Sequence, residues 1–139
     1  MNPLHLASLY TAFCNEGNVV KPYLLYKNEP QADIWIPGIF SDVTAAWVME
    51  GMKKVVDDPE GTGYVAYRED IVLAGKTGTA EIKTSIEDTA GTEIGWFAVF
   101  TAEKDVENPV LLVSMVEDVK KLAGADMWSI RTRSCWMGI

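Results

Sequence analysis

The chain has 139 residues, of which 48% are apolar and 10% aromatic, and carries a formal net charge of −8. That length and apolar content suffice for a packed core and exclude disorder as the default. The acidic balance argues against nucleic acid and anionic lipid, no apolar run is long enough to span a bilayer, and the N-terminus lacks the layout of a signal peptide.

Cys14 and Cys135 are isolated and far apart, and His5 is the single histidine. This is neither a zinc site nor a disulfide framework, so no metal and no cofactor are expected. The chain shows no internal repeat and no low-complexity tract.

A first helix is predicted from Asn2 to about Glu16. Asn2 can cap it, Pro3 suits the first helical position and Gly17 suits the stop. Leu6, Leu9, Tyr10, Ala12 and Phe13 keep helical spacing and form an expected apolar face. His5 sits near the start of this helix without a visible partner and reads as structural. Val19 to Tyr26 reads as a short extended segment that Pro22 demotes to an edge. Asn28 to Phe40 reads as a loop, with Ile34, Trp35 and Ile36 anchoring it in the core.

A second helix starts after Ser41, a good N-cap. Asp42 favours its N-terminal end, and Lys53 and Lys54 favour its C-terminal end. Val48, Met52, Val55 and Val56 recur at helical spacing, with Trp47 and Gly51 beside them, which reads as a core stripe. Asp57-Asp58-Pro59-Glu60-Gly61-Thr62-Gly63 ends the helix with strong breakers. Two glycines in that run could cradle phosphate, but three neighbouring carboxylates favour a plain loop.

Ile71 to Ile82 is a β-type apolar run that opens into small residues around Lys76. Gly75 and Gly78 allow close backbone approach, Lys76 supplies a point charge, and Thr77 and Thr79 add hydroxyls. A strand edge so equipped suits an extended chain that ends in a carboxylate. Three readings compete. Gly75-Lys76-Thr77 resembles the tail of a phosphate-binding loop, but that motif needs a glycine where Asp70 stands, so this reading fails. A surface strand with a bulge remains open. So does the Lys-Thr-Gly element of the serine acyl-transfer enzymes that bind penicillin.

Lys83 to Glu93 reads as a loop, Ile94 to Thr101 as an aromatic strand, and Ala102 to Asn108 as a charged turn. Pro109 to Val116 is a nearly unbroken apolar run, which predicts a strand buried on both faces in the middle of a sheet. Three successive strands with short links make an antiparallel meander covered by helices, an α+β layer.

The order helix, loop, helix, Gly-Lys-Thr-Gly-Thr-Ala-Glu, loop, Gly-Trp-Phe, then an apolar strand ending Val-Glu-Asp-Val resembles the C-terminal part of a class B penicillin-binding protein transpeptidase domain. The opening Asn-Pro-Leu-His-Leu-Ala-Ser-Leu-Tyr-Thr-Ala-Phe resembles the helix that follows the middle motif in that family. The resemblance covers residues 2 to about 121 and implies a single partial transpeptidase domain over 1–139.

What the resemblance implies is acyl transfer. The family acylates a serine with the D-Ala-D-Ala end of a cell-wall stem peptide and passes the acyl group to an amine of a neighbouring strand; a β-lactam also binds there. Lys76 matches the lysine that supplies positive potential at the acyl centre, and Thr77 the hydroxyl that binds the substrate carboxylate. Gly78 keeps the strand free of bulk, and Thr79 matches the backbone donor of the oxyanion hole, whose hydroxyl also reaches toward the carboxylate. Removing one such donor costs about 3 kcal/mol of transition-state stabilisation in other acyl-transfer enzymes. Trp96 matches a family aromatic and reads as packing.

The same comparison exposes gaps. No serine here has a lysine three positions on, and there is no Ser-x-Asn, so the nucleophile and its base are not among these residues and the chain alone is expected to be inactive. Asp126 to Arg131 has no amphipathic pattern, although shifting the reading frame by one base lets the bases under Met127-Trp128-Ser129 spell Tyr-Val-Val. A frameshifted, aberrant tail over 126–139 is therefore expected. The parent family is anchored at the outer face of the cytoplasmic membrane, while this chain shows no signal or anchor and no membrane contact. Uncovered sheet faces predict self-association. A non-catalytic remnant or a peptidoglycan-binding module is the alternative to a piece of a transpeptidase.

Overall fold

A computed structural model describes residues 2–25, 32–87, 90–104 and 106–119. The chain divides into two compact units, Met1–Gly51 and Met52–Ile139. The expected tail anomaly at 126–139 lies outside the described residues, as does Cys135.

In the first unit, helix α1 spans Pro3–Cys14. The Asn2 side chain accepts from the His5 N–H at 2.8 Å and Pro3 begins the helix, as the sequence predicts. Its most buried positions are small ones, Ser8 and Ala12, whereas Leu6, Leu9, Tyr10 and Phe13 are only half-buried. Ser8 tolerates burial because its hydroxyl donates to the Leu4 carbonyl at 3.0 Å. Thr11 ties the helix to the next segment: its hydroxyl donates to the Ser8 carbonyl at 2.6 Å and accepts from the Val20 N–H at 2.9 Å. His5 has a neighbour after all, the Trp35 ring, with centroids 6.0 Å apart.

Strand β1, Val19–Val20, pairs antiparallel with β2, Ile34–Ile36. The second of these was expected to be a loop anchored in the core. It is a strand, and Ile34, Trp35 and Ile36 are all exposed, at 50%, 47% and 41%. A two-stranded ribbon satisfies backbone groups without burying both faces, so apolar character alone did not decide burial.

Helix α2 runs from Asp42 to Asp57, and the division between units falls within it. Ser41 caps it by accepting from the Thr44 N–H at 3.1 Å. Its buried stripe is Ala45, Met49, Met52 and Val56. Trp47, expected in the core, is 79% exposed, and Val48 is also exposed. Trp47 lies about 200° round the helix from Ala45, on the opposite face. Size and apolarity suggested burial there, but helical phase decided against it.

The second unit holds a 3-10 turn at Tyr64–Ala66 and a three-stranded antiparallel sheet of β3 (Leu73–Ile82), β4 (Thr92–Thr101) and β5 (Leu111–Val116), in that order. The meander is the one the sequence predicts. The middle place, however, belongs to β4, and among the described residues β5 is an edge whose residues are mainly half-buried. The double-sided burial expected of the Pro109–Val116 run is found in β4 instead, where Phe97, Ala98, Val99 and Phe100 are all buried.

Register assigns the faces. Gly75 lies opposite Val99, and Thr77 opposite Phe97. One face therefore carries Leu73, Gly75, Thr77, Phe97 and Val99, and it packs on Val56 of α2 and Ala66 of the 3-10 turn to form the core. The other face carries Ala74, Lys76, Gly78, Ala98 and Trp96.

Candidate active-site strand

The sheet places Lys76, Thr77, Gly78 and Thr79 on β3, which is an edge strand among the described residues. Burial changes sharply along it. Leu73, Ala74 and Gly75 are buried, whereas Lys76, Gly78 and Thr79 are exposed and Thr77 is half-exposed. One end of the strand is thus fixed in the core and the other presents its polar groups outward.

The two glycines have different reasons to be glycine. A Cβ on Gly75 would stand 2.9 Å from the Ala98 carbonyl oxygen, 3.2 Å from Val56 and 3.3 Å from the Phe97 ring. Gly75 is therefore required by packing within the protein, beside the close approach to a ligand that the sequence suggests for it. A Cβ on Gly78 would meet nothing nearer than Trp96, at 4.0 Å. Among the described residues nothing requires glycine there.

Lys76 projects from the face opposite Thr77, and its ammonium curls back to donate to the Thr77 carbonyl. Of the carboxylates nearest in sequence, Glu81 pairs with Lys83 at 2.6 Å and Asp70 with Arg68 at 2.6 Å. Among the described residues no carboxylate pairs with Lys76, so its charge is available at the strand edge. The Arg68 guanidinium, through its hydrogen bonds, holds the Asp70 carboxyl below its ordinary value. Away from this site, burial pushes the Cys14 thiol and the Tyr10 phenol up.

Thr77 has a partner that sequence reading missed. Its hydroxyl lies 2.8 Å from that of Thr62, in the Gly61-Thr62-Gly63 loop after α2. The sequence signal was that Gly-Thr-Gly triplet, read only as a loop; a contact fifteen residues away leaves no local trace. Among the described residues no three His, Cys, Asp or Glu groups stand together as a metal site.

This arrangement offers an extended edge, an unpaired cation, hydroxyls and a place without side-chain bulk. It is suited to an extended peptide with a terminal carboxylate. Comparison with known proteins agrees in family. The model of the penicillin binding protein transpeptidase domain matches residues 1–131. Penicillin-binding protein 3 of Bacillus subtilis (strain 168) is 44% identical over 126 residues, covering 90% of this chain and 18% of that protein. Penicillin-binding protein 1A/1B of the same organism is 28% identical over 114 residues, covering 74% of this chain and 12% of that one.

Among solved structures, the apo transpeptidase domain of Burkholderia pseudomallei penicillin-binding protein 3 superposes with a TM-score of 0.72. It is 21% identical, with 99% of this chain and 42% of that one covered. The D,D-transpeptidase domain of a peptidoglycan glycosyltransferase from Eggerthella lenta gives a TM-score of 0.57 at 27% identity, covering 81% of this chain and 26% of that one. The chain belongs to the penicillin-binding protein transpeptidase domain family, and its α+β fold is a part of that domain's fold. It spans less than a fifth of the length of either Bacillus relative.

Proposed function

We propose that this chain is the portion of a peptidoglycan DD-transpeptidase domain that binds the D-Ala-D-Ala terminus of a stem peptide, or a β-lactam, along the open edge of β3. Lys76 supplies positive potential to the substrate carboxylate and the acyl centre. Thr77 donates its hydroxyl to that carboxylate. The Thr79 backbone N–H serves as an oxyanion donor, its hydroxyl lies beside the carboxylate, and Gly78 leaves room for the substrate backbone.

The observation that carries this reading is the contrast between the packed Gly75 and the unfilled space at Gly78, two residues beyond a lysine that no carboxylate pairs among the described residues. The bond from Lys76 to the Thr77 carbonyl supports it, because it brings the ammonium to the strand edge rather than away from it. In an extended strand, backbone groups two residues apart point the same way, so the Thr77 carbonyl and the Thr79 N–H share one side.

The serine nucleophile and its lysine base are not among these 139 residues. In this reading residues 1–139 supply one wall of a transpeptidase active site, working at the outer face of the cytoplasmic membrane as the family does. No helix among the described residues is long and apolar enough to cross a membrane. In this reading both compact units belong to one partial transpeptidase domain, with an aberrant segment at 126–139.

Two measurements test this. A fluorescent penicillin should leave no covalent adduct on the chain after denaturation, because no activated serine is present. Titration of isotopically labelled chain with N-acetyl-D-Ala-D-Ala should move the amide signals of Lys76 to Thr79 selectively. A covalent adduct would refute the assignment of the nucleophile outside this chain. Shifts confined to other elements would refute the β3 site.

A further inference from the structure

We propose that Thr62 is a positioning residue for the Thr77 hydroxyl, holding it with its proton directed at the carboxylate of a bound ligand. This rests on the reading of β3 as the carboxylate-binding strand and adds to it a residue outside the Lys-Thr-Gly motif.

The geometry begins with how the Thr62 loop is fixed. The Gly61 N–H donates to the Asp58 carbonyl at 2.7 Å and the Gly63 N–H to the Val55 carbonyl at 3.0 Å. A Cβ on Gly61 would stand 2.3 Å from the Val55 carbonyl oxygen, so only glycine fits. A Cβ on Gly63 would stand 3.1 Å from the Phe97 ring, the same ring that a Cβ on Gly75 would meet at 3.3 Å. Phe97 is also the cross-strand partner of Thr77 and is 1% exposed. One buried ring therefore sets both the height of the loop and the position of the strand. Across this ring the two hydroxyls lie 2.8 Å apart.

Chemistry then gives the pair a direction. Either hydroxyl can donate to the other, and in the free chain both arrangements are available. A carboxylate only accepts. When it binds at Thr77, the Thr77 proton turns to it, and the Thr77 oxygen is left to accept from Thr62. The chain Thr62 to Thr77 to carboxylate is polarised in one sense, which strengthens the last bond. Without Thr62, the Thr77 hydroxyl would have to be ordered by the ligand alone.

The test uses the 139-residue chain in wild-type form and as Thr62→Val, Thr62→Ala and Thr62→Ser. Three-bond couplings report the Thr77 side-chain rotamer in the absence of ligand. Wild type and Thr62→Ser should show a single rotamer, and Thr62→Val and Thr62→Ala an averaged one, with the amide signals of Phe97 and Val99 unmoved. In titrations, the two truncations should weaken N-acetyl-D-Ala-D-Ala by about fivefold, in line with loss of one neutral hydrogen bond between hydroxyls. Thr62→Ser should recover most of that loss. The C-terminal amide of the same dipeptide, which lacks the charge, should bind wild type and variants alike.

An unchanged Thr77 rotamer in both truncations would overturn the positioning role. So would an equal loss for acid and amide, which would mark a merely structural effect. If wild type does not bind the acid, the carboxylate role falls together with the proposed function, while the rotamer comparison still decides whether Thr62 positions Thr77.

Discussion

Gly75 and Gly78 look alike in the sequence and differ in what a side chain would meet. Gly75→Val pushes a branched side chain between the Ala98 carbonyl, Val56 and the Phe97 ring. It should destabilise the chain by about 1–3 kcal/mol through overpacking, read as a lowered urea midpoint at constant slope. Gly78→Ala should change stability by no more than about 0.5 kcal/mol, yet weaken N-acetyl-D-Ala-D-Ala in the same titration. Asp70 behaves differently again. Its carboxyl is held below its ordinary value by Arg68, so the pair's contribution is fully present above the unfolded carboxyl range and is lost as pH falls through the lowered value. Asp70 is exposed and Arg68 half-exposed, so the pair is screened by solvent, and Asp70→Asn should leave the melting temperature at neutral pH and physiological salt nearly unchanged.

At the scale of elements, β4 carries the second unit. Phe97 from β4 touches loop, helix end and the strand beside it through one ring, and Val99 continues the same face. Phe97→Ala should cost about 3–5 kcal/mol, seen in guanidinium unfolding, and should loosen the Thr62 loop as well as the core. Helix α1 depends on a local device instead, the Asn2 side chain on the His5 N–H. Asn2→Ala should cost about 1 kcal/mol, detected as faster amide exchange in the first turn of α1. The two substitutions act on different units, so their effects are expected to be read separately.

At the scale of the whole molecule, the chain exposes large apolar side chains that a free-standing protein would ordinarily cover. Trp47 is 79% exposed, Leu24 85% and Ile86 98%. The chain also covers only 42% of the Burkholderia transpeptidase domain it superposes on. Association should follow, since burying such exposed apolar side chains against another copy removes them from water. Sedimentation velocity over a tenfold concentration range should show the weight-average coefficient rising, and a constant monomer value would count against this.

Local signals in the sequence determined the elements and the family. Caps at Asn2 and Ser41, breakers from Asp57 to Gly63, and the alternation around Lys76 act within a few residues, and the helix ends and the order of these elements along the chain follow from them. Lys76, Thr77, Gly78 and Thr79 were legible for the same reason, being consecutive on one strand. Burial was less legible. Trp47, Ile34 and the Pro109–Val116 run are apolar enough for a core, but helical phase, a two-stranded ribbon and the central place of β4 decided otherwise. Only the tertiary structure separated the packed Gly75 from the open Gly78 and brought Thr62 to Thr77. The Phe97 ring takes part in both, beside the Ala98 carbonyl and Val56 at Gly75. The position of the ring is fixed by cross-strand register and by the end of α2, contacts between segments far apart in the chain that no local pattern encodes.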